Sequence, residues 1–146
     1  SQRIFTPLSP TNLGRYIKTP IFIDRISFNL PSDELTCILA GHEKVHAQDM
    51  FYGIPFRADT LKYDQVTEAL QEKKLALTTL TDILEYRAYQ EEFLEIERGK
   101  FIVSSNFKDR VRKKIKDLYT SLNEHRKITS SYEQELITKM FEVYNH

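Results

Sequence analysis

From Asp59 to Arg98 the chain has neither proline nor glycine, and most of the residues are strong helix formers. Val66, Leu70, Leu77, Leu80, Leu84 and Ala88 recur there at helical spacing, which predicts one long helix, or two with a kink, ended by Gly99. A chain with such a centre must lay its other elements along that helix. Upstream, Ser32 reads as an N-cap, with Asp33 and Glu34 in the first turn where the helix dipole favours them. That helix runs through Leu35, Ile38, Leu39, His42, Val45 and His46 and should stop near Gly53-Ile54-Pro55. Downstream, Lys100–Ser105 is a connector containing a short β-like Phe101-Ile102-Val103. Two helices follow at about Asn106–His125 and Ser130–Tyr144, with Ser130 or Ser131 as a cap. The first 31 residues hold four of the five prolines and look irregular, with Ile21–Phe28 as a strand and the stretch around Arg15–Lys18 as its candidate partner. The expected fold class is α+β, mainly helical, in a single domain over residues 1–146: a strand-bearing segment 1–31, core helices 32–98 and a C-terminal helical part 106–145.

Composition excludes some functions. Lys+Arg and Asp+Glu both number 21, so no net charge drives binding to nucleic acid or anionic lipid. The one basic cluster, Lys108–Lys116, carries a stripe of Val111, Ile115 and Leu118 and reads as a solvated helix face. The acidic run Glu91–Glu97 is its counterpart, and the two could pair within the fold. No stretch has the length and apolarity of a membrane span, and no signal peptide opens the chain. The chain begins at Ser1 and not Met, so removal of an upstream segment is expected. An export signal, a membrane anchor and a cloning boundary all fit, and localisation is left open. Cys37 is alone and lies in an apolar helical pattern, as a buried inert thiol would.

One motif carries chemistry. Gly41-His42-Glu43-Lys44-Val45-His46-Ala47-Gln48-Asp49 contains His-Glu-x-x-His inside the expected helix. Residues four apart share a helix face, so His42 and His46 can aim two imidazole nitrogens at one tetrahedral zinc. Glu43 is about 100° round the helix from His42, too far to be a natural third ligand but placed to take a proton from a metal-activated water. With four histidines in the chain, random placement gives roughly 0.01 such matches.

Catalytic zinc needs a third protein ligand. The metzincin arrangement fails, because Asp49 and Tyr52 stand where its glycine and third ligand would be. The other common solution is Glu-x-x-Ala on a later helix, and of all the glutamates only Glu85 has an alanine, Ala88, three residues on. Glu68, Glu72, Glu91, Glu92, Glu95 and Glu97 fall in charged runs that read as solvent-facing. Asp49 is the second candidate, either as a ligand or as an acceptor that orients a ligand histidine.

ILAGHEKVHAQD followed by LEYRAYQ resembles the gluzincin branch of zinc metallopeptidases. It looks most like the small members, such as the peptidase domains of β-lactam sensor-transducers and the peptidases that cleave phage repressors. The resemblance covers roughly Ile21 to Glu92. It implies a zincin-like core, Zn2+ held by His42, His46 and Glu85, Glu43 as general base, and a peptide or protein substrate lying along Ile21–Phe28 by strand addition. It also implies a group that stabilises the oxyanion, for which Tyr86, Arg87, Tyr89 and His125 are candidates. Otherwise His125 and His146 read as a surface residue and a chain end, and Phe51, Tyr52 and Phe56 as candidates for a cleft wall. The expected function is peptide-bond hydrolysis. Its alternatives are a zincin-like binding or regulatory domain without turnover, and a helical interaction protein without metal.

Overall fold

The computed structural model describes residues 32–145; the expected strand at Ile21–Phe28, the stretch Arg15–Lys18 and His146 lie outside the described residues. The motif helix opens at Ser32, where the sequence predicts its start, and ends where glycine dictates. It comprises α1 (Ser32–Cys37), a π-helical segment (Ile38–Glu43) and α2 (Lys44–Tyr52) in one continuous rod. Gly53 stops it at φ 97, a conformation that side chains rarely adopt. The chain then folds into a two-stranded antiparallel sheet, β1 (Ile54–Pro55) and β2 (Thr60–Leu61), with Ile54 opposite Leu61 and Pro55 opposite Thr60. Helix was expected from Asp59. Instead β-branched Thr60 pairs with Pro55, and α3 (Tyr63–Gln71) begins only after the hairpin has closed.

The glycine-free run therefore makes two helices. Lys73 adopts φ 58, and the N–H groups of Lys74 and Leu75 both reach back to the Ala69 carbonyl, which turns the chain between α3 and α4 (Leu77–Glu97). Gly99, at φ 77, closes α4 as the sequence predicts. Phe101-Ile102-Val103 is a connector and not a strand. α5 (Ser105–Arg126) is capped by the Ser104 hydroxyl, and α6 (Ser131–Val143) by that of Ser130. The basic cluster on α5 meets the acidic run on α4 through Lys108–Glu97, 2.8 Å apart.

α4 is the axis of the molecule. The π segment, α2, α5 and α6 all pack on it. Leu80, Ile83, Leu84 and Tyr86 join Met50, Val66, Leu122, Ile137, Met140 and Phe141 in the main core. Cys37, Ile96, Phe101, Phe107 and Val111 form a second cluster under the start of the motif helix. The structure is thus mainly helical with a small two-stranded sheet, and among the described residues no helix is long and apolar enough to cross a membrane.

One buried carboxylate joins three helix ends. Glu133, in the first turn of α6, accepts from the Ala76 N–H at 2.7 Å and from the Thr129 hydroxyl, and lies 2.7 Å from His125 Nε2. Burial opposes its charge, but the Ala76 N–H, Thr129 and His125 outweigh burial and hold the carboxyl below its ordinary value. A lowered folded pKa stabilises the fold above the ordinary glutamate range and loses that contribution as pH falls through the folded value. Glu133→Gln should therefore flatten the loss of stability between neutral and acidic pH in denaturant titrations. Gly53→Ala should cost about 2 kcal/mol or more by the same measurement. Its positive φ would be strained, and its Cβ would lie 2.8 Å from the Leu61 carbonyl oxygen.

Candidate metal centre

The π segment places its residues on wider turns than an α-helix, with the Lys44 N–H reaching back to the Leu39 carbonyl. His42 projects from this segment and His46 from α2. Both meet Glu85, which reaches across from α4.

The donor atoms converge. His42 Nε2 is 3.2 Å from His46 Nε2 and 3.2 Å from Glu85 Oε1, and His46 Nε2 is in close contact with the same oxygen. A zinc–nitrogen bond of about 2.0–2.1 Å puts the corners of a tetrahedron about 3.3–3.4 Å apart. Two of the three edges match that figure and the third is shorter, so this donor set fits a small tetrahedral cation. The three residues form a group that could hold a metal ion. His42 is 2% exposed and His46 is also buried, while a quarter of the Glu85 side chain remains accessible.

The electrostatics describe a site that attracts cations. Burial disfavours a proton on His42, yet the carboxylates of Glu85 and Glu92 outweigh it and raise its pKa to about 9. Burial likewise works against Glu85, but its contacts with His42 and His46 dominate and hold it well below the usual carboxylate range. Glu43 follows His42 on the π segment and is buried with it.

Glu92 corrects the sequence reading. Placed there in a solvent-facing charged run, it is 1% exposed and lies against the motif helix. Its Oε1 is 3.1 Å from His42 Nδ1, and its Oε2 accepts from the Cys37 thiol at 3.5 Å. A signal was present. Glu92 lies two helical turns beyond Glu85 and so shares its face of α4.

The remaining candidates fall into distinct places. Tyr89, one turn after Glu85, packs on the His42 ring with centroids 4.3 Å apart, so of the four oxyanion candidates it touches the cluster. Tyr86 is fully buried in the main core and accepts from Gln90 Nε2 at 3.1 Å. Arg87 donates from Nε to both oxygens of Asp49, at 2.9 and 3.1 Å, and from a terminal nitrogen to the Tyr144 hydroxyl. Asp49 is thus turned to Arg87 and is not in the donor cluster. His125 keeps a partly accessible side chain, as the sequence suggests, and it also meets Thr79 at the start of α4 and Glu133. Phe51 and Tyr52 stack edge to face at the exposed end of α2, whereas Phe56 packs on the main core.

Comparisons with protein-family models, with curated proteins and with solved structures find no match for this chain.

The Asp49–Arg87 pair bolts α2 to α4 one turn beyond His46. Breaking it should leave a buried charge behind. Asp49→Leu and Arg87→Leu should each cost about 3–5 kcal/mol in chemical unfolding of the metal-free protein, and the double variant less than the sum of the two.

Proposed function

We propose that this protein is a zinc-dependent metallopeptidase of the gluzincin type, with His42, His46 and Glu85 as ligands and Glu43 as general base. The observation that carries the reading is the convergence of three donor atoms, from two helices and 39 residues apart in sequence, at the spacing of a tetrahedral cation site. The resemblance of HEKVH and EYRA to that branch points the same way.

A bound zinc ion would lower the pKa of a water molecule and polarise a peptide carbonyl. The chain's own residues supply the rest. His42, His46 and Glu85 would hold the ion, and about a quarter of the Glu85 side chain stays accessible. Glu43 takes the proton of the attacking water and delivers it to the departing amine, which balances the reaction as water plus amide giving acid plus amine. Tyr89, whose ring packs on His42, is the candidate among the four for stabilising a carbonyl oxygen that gains charge.

A second reading, a metal-holding binding or regulatory domain without turnover, is favoured by one observation. Tyr86 and Arg87, two of the four residues that could stabilise an oxyanion, are engaged inside the fold. The same experiment separates the two. Zinc-loaded wild-type chain should cleave members of a peptide library, and Glu43→Gln should bind zinc equally well yet lose at least 100-fold in rate. His42→Ala should lose the metal. Zinc binding with no cleavage of any peptide would select the second reading, and unchanged hydrolysis by Glu43→Gln would overturn the mechanism.

A further inference from the structure

We propose that Glu92 is the positioning residue of the metal centre, fixing the tautomer and the orientation of His42, with the Cys37 thiol fixing Glu92 in turn. This rests on the zinc reading of the same site and adds a residue that the motif does not contain.

Three observations carry it. First, the two nitrogens of His42 face opposite tasks. Nε2 points into the donor cluster and Nδ1 lies 3.1 Å from Glu92 Oε1. Glu92 accepts and cannot donate, so Nδ1 keeps its proton, and a cation that takes the place of the proton between Nε2 and Glu85 Oε1 would meet the Nε2 lone pair. Because the imidazole ring stands between Glu92 and the cluster, Glu92 cannot itself be a fourth ligand while it keeps this contact.

Second, among the described residues Glu92 is buried without a lysine or arginine at either oxygen; its contacts there are an imidazole and a thiol. Burying a carboxylate is costly unless something offsets its charge. A dication on the far side of His42 would add to that offset through the ring. Cys37 is fully buried and its pKa is pushed up by burial and by the nearby Glu92, so its thiol keeps the proton it donates.

Third, the Glu92 stem lies against the π segment itself. A Cβ built on Gly41, the residue before the motif histidine, would stand at ordinary contact distance, 3.5 Å, from Glu92 Cγ. α4 then supplies one ligand, Glu85, and the group that aims another, two turns apart on one face.

The experiment uses the full chain stripped of metal with a chelator and then titrated with Zn2+ against a chromophoric competitor. Glu92→Gln, close in shape and still able to accept a hydrogen bond, should weaken zinc binding about 10-fold, and Glu92→Leu about 100-fold. Both should retain the helical circular dichroism of the metal-free wild type. A second measurement needs no variant. Nitrogen-15 NMR of the zinc-loaded wild type should show His42 bound through Nε2, with a slowly exchanging Nδ1 proton. Equal zinc affinity of wild type and both variants, or coordination of His42 through Nδ1, would overturn the proposal and leave the zinc site standing. A wild-type chain that binds no zinc would instead overturn the metal reading, and this role with it.

Discussion

Everything in this structure depends on how polar groups are satisfied on a helix that other elements pack against along its length. α4 buries Leu80, Ile83, Leu84 and Tyr86, and it also buries Arg87, Gln90 and Glu92. Each of those polar groups would destabilise the fold by several kcal/mol if left without a partner. Their partners are specific. Arg87 takes Asp49 and Tyr144, Gln90 takes Tyr86, and Glu92 takes His42 and Cys37. Two of the three reach across to the motif helix, so the contacts that make α4 tolerable inside the protein also fix where the motif helix lies.

The donor cluster belongs to this same set. Glu85, one turn before Tyr89 and two before Glu92, faces the histidines on the side of α4 that meets the π segment. The Asp49–Arg87 pair and the Glu92–His42 contact restrain the cluster at two points of the motif helix, one turn beyond His46 and at His42 itself. A buried group of carboxylates and imidazoles is a poor way to stabilise a protein, since well-packed apolar side chains of similar volume do as well or better. Its retention is understandable if the group has a ligand. A cation that binds the folded chain alone then adds its binding free energy to the stability of the fold.

Much of the local structure was legible in the sequence because its causes are local. Gly53 and Gly99 end helices through the positive φ that only glycine adopts cheaply, and Ser130 begins one by offering its hydroxyl to a free N–H. The His42–His46 spacing follows from helical periodicity, and Glu85 was singled out by the small residue one turn later, Ala88, which is fully buried. The break at Lys73 was not legible, because a lysine at φ 58 obeys no residue preference and is held by backbone hydrogen bonds to the end of α3. The π segment was equally hidden. Nothing in Ile38–Glu43 announces a wider turn.

By itself, then, the sequence determined which segments are helical, where most of them end, and which three side chains had the chemistry and spacing to share a cation. Those follow from backbone sterics, capping and periodicity, which act over a few residues. Only the tertiary structure decided that the acidic run on α4 is split, with Glu97 meeting Lys108 at the surface and Glu92 sealed against His42. Only it decided that Asp49 answers Arg87 and not a histidine. The reason is physical. A charged residue on a helix is exposed or buried according to what packs on that side, and the elements that pack on α4 come from both before and after it in the chain.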